Sequence, residues 1–299
     1  MKRKLIKQAG QALTITLPIE WIRSNGLKPG DEIEVESVEK DLMLKTRKKT
    51  VTGSIKLNTT GFERRTKYNY TNAAYAKGID EIKLESDKGY YPDLSQDLGY
   101  AVISQKGNSF IIRDIGGASF ENLDEIFKRV FQMVMGFYES AFEDIFGESK
   151  EPFETAEKID SEINRFVLFL QRQIIKSSHP DPAMGKIMFA YSFALEKIGD
   201  EILRLWRTNI QGKVTKNKQV KELVMLSKKG LQKSFEIYYQ TSSQNENEML
   251  EIKDTIRKRA INVLNIDADT SKFVTHALNI LEDAADLTHL SLMKRISPE

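Results

Sequence analysis

Two hydrophobic periods divide the chain. Leu13, Ile15 and Leu17 alternate with Thr14 and Thr16, the period of two that marks a half-buried β-strand. Pro18 fits the first turn of a short helix over residues 18–27, which closes at Gly26, where a left-handed cap falls. Lys28-Pro29-Gly30-Asp31 has the composition of a turn, and the alternating Glu32, Ile33, Glu34, Val35, Glu36 and then Leu42, Met43, Leu44 supply a second strand pair. Residues 1–49 thus read as strand pair, short helix, strand pair.

Residues 50–118 mix both periods. Ser54, Ile55 and Leu57 predict a strand, 64–77 a helix ending at Gly78, and 81–84 a strand; 91–98 is expected to be helical, and 100–104 with 109–113 to form a hairpin. The result is a small α+β layer. From residue 119 the 3.6 period takes over, with helices expected over 120–146, 152–177, 182–211, 217–243, 245–266 and 269–295. Asp181-Pro182 is a cap followed by proline at the first helical position, Gln211-Gly212 closes that helix, and the polar run 241–247 separates two more. The fold class expected is multidomain and mainly α: a β-rich module over 1–49, an α+β linking segment over 50–118 and a helical domain over 119–299 made of two three-helix bundles, about 119–212 and 213–299.

Composition narrows what such a chain does. The 299 residues are 40% hydrophobic and 29% charged, within the range of ordinary globular proteins. The first residues, MKRKLIKQAG, carry no apolar stretch behind the basic ones, and no window approaches the roughly 18 apolar residues of a membrane span, so a cytoplasmic location is expected. The absence of cysteine removes disulfides, thiolate zinc sites, iron–sulfur clusters and cysteine nucleophiles. The net charge of +2 hides a gradient: residues 1–50 hold 11 Lys and Arg against 7 Asp and Glu, whereas 117–299 hold 25 against 28. A basic head on an acidic body directs polyanions to the head.

About 50 residues form too small a core to stand alone, and dimerisation is the natural remedy. Arg3-Lys4-Leu5-Ile6-Lys7, Gly10, Leu13-Thr14-Ile15-Thr16-Leu17-Pro18, Trp21 and Gly26-Leu27-Lys28-Pro29-Gly30-Asp31-Glu32-Ile33 together resemble the AbrB/SpoVT family, whose members are intertwined dimers of swapped hairpins that bind DNA. The resemblance implies a homodimer and operator DNA as partner. Gln11-Ala12 and Trp21-Ile22 stand where relatives often place basic residues, which leaves Arg23 as the helix's only cation. Because Lys and Arg contacts to phosphate supply most nucleic-acid affinity, the expected DNA contacts are Arg3, Lys4, Lys7 and Arg23, with Gln8 and Gln11 as polar contacts.

The helical half carries a carboxylate repeat. Glu157-Lys-Ile-Asp160 recurs as Glu251-Ile-Lys-Asp254, and Leu195-Glu196-Lys-Ile-Gly-Asp200 as Leu281-Glu282-Asp-Ala-Ala-Asp286, in the same order. This argues for duplication of a three-helix unit. A spacing of four places Glu196 with Asp200, and Glu282 with Asp286, on one helical face, the first pair in a stripe with Phe189, Phe193 and Leu203. Such pairs repel and lose hydration unless a cation or proton compensates. His289 lies three residues beyond Asp286 as a further candidate ligand, and Lys197 or Arg204 can instead neutralise Glu196 and Asp200 with no metal.

These motifs, over residues 120–296, resemble the phosphate-uptake-regulator (PhoU) family, whose two three-helix repeats carry an acidic-x-x-x-Asp motif that binds iron clusters or other metals. The resemblance implies metal at Glu196, Asp200, Glu282 and Asp286, and less directly at Glu157, Asp160, Glu251 and Asp254. Oxygen ligands favour hard divalent or trivalent ions, iron among them. Head and helices in one chain look like the archaeal arrangement of these two modules. With no P-loop, no Gly-x-Ser-x-Gly, no His-Glu-x-x-His and only three histidines (His179, His276 and His289), catalysis is not expected. The expected role is regulation of phosphate uptake or phosphate signalling, with a transporter ATPase or a signalling protein as partner; the alternative is a carboxylate-bridged metal-binding protein whose head only dimerises.

Overall fold

The computed structural model of the chain describes residues 2–7, 13–38, 41–46, 53–116, 122–148, 151–177, 181–240 and 242–296. It divides into two compact units, Met1–Thr52 and Gly53–Glu299.

In the first unit, β1 (Ile6–Lys7) pairs antiparallel with β2 (Leu13–Thr14), α1 spans Ile19–Ser24, and β3 (Ile33–Val38) pairs antiparallel with β4 (Asp41–Thr46). The local chemistry is the expected one. Gly26 takes φ +59°, and the Leu27 amide donates to the Ile22 carbonyl, the six-to-one bond of a glycine-ended helix. The Asp31 amide donates to the Lys28 carbonyl at 3.0 Å, and the Asp31 carboxylate accepts from the Lys28 amide at 2.8 Å, which closes the turn.

The second unit opens with a four-stranded sheet ordered β5-β6-β8-β7, where β5 is Ser54–Asn58, β6 Glu81–Glu85, β7 Tyr100–Lys106 and β8 Ser109–Asp114. β5 and β6 run parallel, joined through α2 (Arg64–Ala76); the other pairs are antiparallel, with an irregularity between Val102 and Ser104. Ile82, Leu84, Phe110 and Ile112 bury one face of the sheet. Residues 91–98, expected as a helix, form turns instead. Pro92 and Asp93 decide this: the Asp93 carboxylate accepts from the Ser95 amide at 3.1 Å, a local bond that competes with helix formation.

Six long helices follow: α3 (Leu123–Phe146), α4 (Phe153–Ser177), α5 (Pro182–Gln211), α6 (Lys218–Tyr239), α7 (Ser243–Val263) and α8 (Ala268–Arg295). The starts of α5, α6, α7 and α8 are fixed by Asp181, Asn217, Ser242 and Asp267, whose side chains each accept an amide of the first turn. α3, α4 and α5 pack on one another, as do α6, α7 and α8; α5 meets α8 and α3 meets α6 across the two sets. The repeated sequence signatures fall on the second and third helices of each set, α4 and α5, α7 and α8. Polar pins cross the join: Tyr138 donates to Ser227 at 3.0 Å, and Tyr191 to the Leu287 carbonyl at 2.7 Å. Trp206, fully buried, donates to Asp144 at 2.8 Å.

α2 lies against α4, and one side chain ties sheet to bundle. Arg172 of α4 is 1% exposed; it donates to the carbonyls of Tyr75 and Ile79, both at 2.8 Å, and to Asp80 (3.0 Å) and Asp114 (2.7 Å). Its guanidinium also sits over the rings of Tyr75 and Tyr100, at 4.8 and 5.2 Å from their centroids. Lys176, one turn on, reaches Asp80 at 2.5 Å, so two cations meet two carboxylates. A buried guanidinium is tolerated only when its donors and its charge are both matched, and here they are.

Candidate functional site

The head presents cations and apolar side chains together. Arg3 and Lys4 precede β1, Lys7 lies in it and Arg23 lies in α1; all four are exposed and none is ion-paired among the described residues. Gln8 and Gln11 lie outside the described residues. No described side chain of residues 2–46 is buried, and Leu5, Ile6, Leu13, Ile15, Ile19, Val35 and Leu42 are 51–68% exposed. So much exposed aliphatic surface on so small a unit marks an interaction face.

The carboxylate repeat is brought together differently in its two copies. Asp160 of α4 comes near Glu196 and Asp200 of α5: burial, then the Asp200 charge, pushes the Asp160 carboxyl up to about 6, opposed by Arg207 and Arg204. Glu196 is also raised, by burial first and then by Asp200 and Asp160, against Arg204. Arg204 donates to Asp200 at 2.6 Å and to Glu201 at 2.6 Å, and Arg207 stands 3.6 Å from Glu157. In the second copy burial of Glu282 is outweighed by hydrogen bonds from Lys253 and Arg257, both at 2.7 Å, and its carboxyl is lowered. Glu251, Asp254, Asp286 and His289 are exposed. Of the two expected neutralising residues, Arg204 does reach Asp200, whereas Lys197 crosses to Asp283 on α8 at 2.6 Å.

As donors to a metal, these groups do not fit. Arg204 already occupies Asp200, and Lys253 and Arg257 occupy Glu282, two of the four carboxylates that the resemblance first assigns to a metal, and among the described residues no three His, Asp or Glu side chains are grouped to hold an ion. The asymmetry has opposite consequences for the two copies. Glu196→Gln relieves repulsion and is expected to raise stability at pH 8 by about 0.5 kcal/mol; Glu282→Gln strands Lys253 and Arg257 and lowers it by about 1 kcal/mol, the scale of partly exposed ion pairs. Urea unfolding of the two variants side by side checks the signs.

Sequence reasoning missed three polar residues that the packing makes central. Glu201, 7% exposed, accepts from Arg204, from Asn279 at 3.3 Å and bonds His276 Nδ1 at 2.7 Å across α5 and α8, while His276 Nε2 is buried with no partner among the described residues. The available signal was Glu201 standing between Ile198, Ile202 and Leu205, an acid on an apolar stripe. Arg172 and Asp97 gave none: each is buried by segments distant in sequence, and neither carboxylate oxygen of Asp97, 2% exposed, is hydrogen-bonded among the described residues.

The head thus has the layout of a paired-hairpin module, followed by a multidomain, mainly α chain. Residues 6–52 match the family model described as antidote-toxin recognition MazE, bacterial antitoxin, which supports the AbrB-like, swapped-hairpin reading of this segment and is compatible with DNA binding or dimerisation. No curated protein matches the chain, and no solved structure does. Among the described residues no helix is long and apolar enough to cross a membrane.

Proposed function

We propose that the chain is a non-catalytic regulator of phosphate uptake or phosphate signalling. Its head, as a homodimer, binds operator DNA, and its helical unit engages a transporter's ATPase or a signalling protein in the cytoplasm. The observation that carries the DNA part is the head itself: Arg3, Lys4, Lys7 and Arg23, with no ion pair among the described residues, beside an exposed apolar face, in a segment whose match spans residues 6–52. The cations supply phosphate contacts, and the aliphatic face supplies the surface on which a second head packs. The phosphate part rests on the repeated acidic signatures of residues 120–296, which lie on the second and third helices of two three-helix sets. Metal plays no part in this reading, since Arg204 already pairs with Asp200, and Lys253 and Arg257 with Glu282.

The test is fluorescence anisotropy of the full chain on duplexes tiled across the promoter regions of phosphate-transport operons, from 50 to 300 mM salt. Binding is expected to weaken steeply with salt. Each of Arg3→Ala, Lys4→Ala, Lys7→Ala and Arg23→Ala should flatten the slope of log affinity against log salt by about two, one phosphate per protomer. Equal affinity for every duplex with unchanged slopes in all four variants would sink the DNA assignment.

A further inference from the structure

Between sheet and bundle lies a cavity of 490 Å³, within the range of small-molecule sites. Its walls come from both layers: Leu98 and Gly99 ahead of β7, Asp114 and Gly116 at the end of β8, Ile126 of α3, and Phe166 and Phe169 of α4. The lining is mostly apolar. Arg172 forms part of the wall, but four acceptors already hold its terminal nitrogens, and with Lys176 it balances the charges of Asp80 and Asp114. The loop side is backbone pressed on backbone: a Cβ at Gly116 would lie 2.9 Å from the Gly99 Cα, and Gly99 holds φ +88°, where side chains are strained. The glycines let the two strand ends close against each other, so the wall is fixed by the fold and does not wait for a ligand.

The rim carries the selectivity. Glu125 and Arg129 of α3 both line the opening and are exposed one helical turn apart, where Glu followed by a cation four residues on ordinarily pairs; here they do not pair with each other. Glu125 accepts one bond from Asn122 at 3.0 Å, and Arg129 has no acidic partner among the described residues. An anion alone would meet Glu125, and a cation alone would meet Arg129. A molecule bearing both charged groups on one carbon satisfies each, while an apolar body fills the space between Ile126, Phe166 and Leu98.

We propose that this cavity is a binding site for a zwitterionic amino acid with a large apolar side chain. Its carboxylate faces Arg129, its ammonium faces Glu125, and its side chain enters between the α+β layer and the bundle. The site is independent of the DNA reading, since it lies wholly within the unit spanning Gly53–Glu299.

Isothermal titration of the full chain with L-tryptophan, tryptamine and indole-3-propionate tests it. L-tryptophan is expected to bind saturably, one per chain, and each singly charged analogue at least tenfold more weakly. Arg129→Met should weaken L-tryptophan tenfold and leave tryptamine unchanged or tighter; Glu125→Gln should do the same with indole-3-propionate spared. Leu98→Trp, which fills the cavity, should abolish all three. Both rim residues are exposed, so their variants fold whether or not the filled variant does. No saturable heat with L-tryptophan or L-phenylalanine up to 10 mM, or equal affinity for the three indoles in every variant, overturns the proposal.

Discussion

Arg172→Met is expected to destabilise the Gly53–Glu299 unit by about 3–5 kcal/mol, the cost of breaking a buried ion pair by removing one partner. The variant keeps the aliphatic length of the side chain, so little volume is lost. What goes is the hydrogen bonding: the Tyr75 and Ile79 carbonyls lose their guanidinium donor, and Asp80 and Asp114 lose the more buried of the two cations they share, keeping Lys176. Arg172→Lys is expected to recover less than half of the loss. An ammonium has three donors and cannot span two carbonyls and two carboxylates while stacked between two rings. Urea unfolding followed by the fluorescence of Trp206 gives both numbers, and a Met variant within 1 kcal/mol of the native chain would mean that the clamp is not holding the layers together.

The second large effect is a pH dependence centred on Asp97. Burial pushes its carboxyl up to about 7, with Arg172 opposing and Asp93 reinforcing the rise. Because the folded pKa lies above the ordinary carboxylate value, the folded chain holds the proton more tightly than the unfolded one. Asp97's contribution to stability is therefore fully present below about pH 4 and is lost as pH climbs through 7. A rise of about three units corresponds to about 4 kcal/mol. Asp97→Asn carries no such proton, so its stability relative to the native chain should climb by that amount between pH 4 and pH 8. At the acid end the variant should be no better than native, since a buried amide also lacks partners. Urea titrations at pH 4, 6 and 8 measure the difference directly, and a flat difference would show that the Asp97 carboxyl is ionised throughout.

These two residues also show where sequence reading stops. Helix ends were legible because their determinants are local: Asp181 with Pro182 at one end of α5 and Gly212 at the other, Gly26 and the 28–31 turn in the head. The hairpin of β7 and β8 was legible from alternation; the period failed at 91–98, where Pro92 and the Asp93 side chain redirect a run that otherwise scans as helical, and at 13–17, of which only Leu13–Thr14 is strand, with Leu13 and Ile15 exposed. The duplicated acids were visible as a pattern, but not their electrostatics. That Lys253 and Arg257 reach Glu282, and that Lys197 passes Glu196 for Asp283, depends on how α5, α7 and α8 face one another. Arg172 looks in sequence like an ordinary helix cation; only the arrival of residues 75–80 and 114 against α4 makes it a buried one.

The coreless head has a consequence for how the protein responds to its own abundance. A unit in which no described side chain of residues 2–46 is buried has little to hold it folded alone, so in the proposed homodimer ordering and pairing become one event. The supply of competent heads then grows with the square of chain number when copies are scarce and linearly once they are plentiful. On the proposed reading, doubling expression near the lower limit would quadruple the DNA-binding species, giving a threshold in dose that no cooperative contact along the DNA is needed to create.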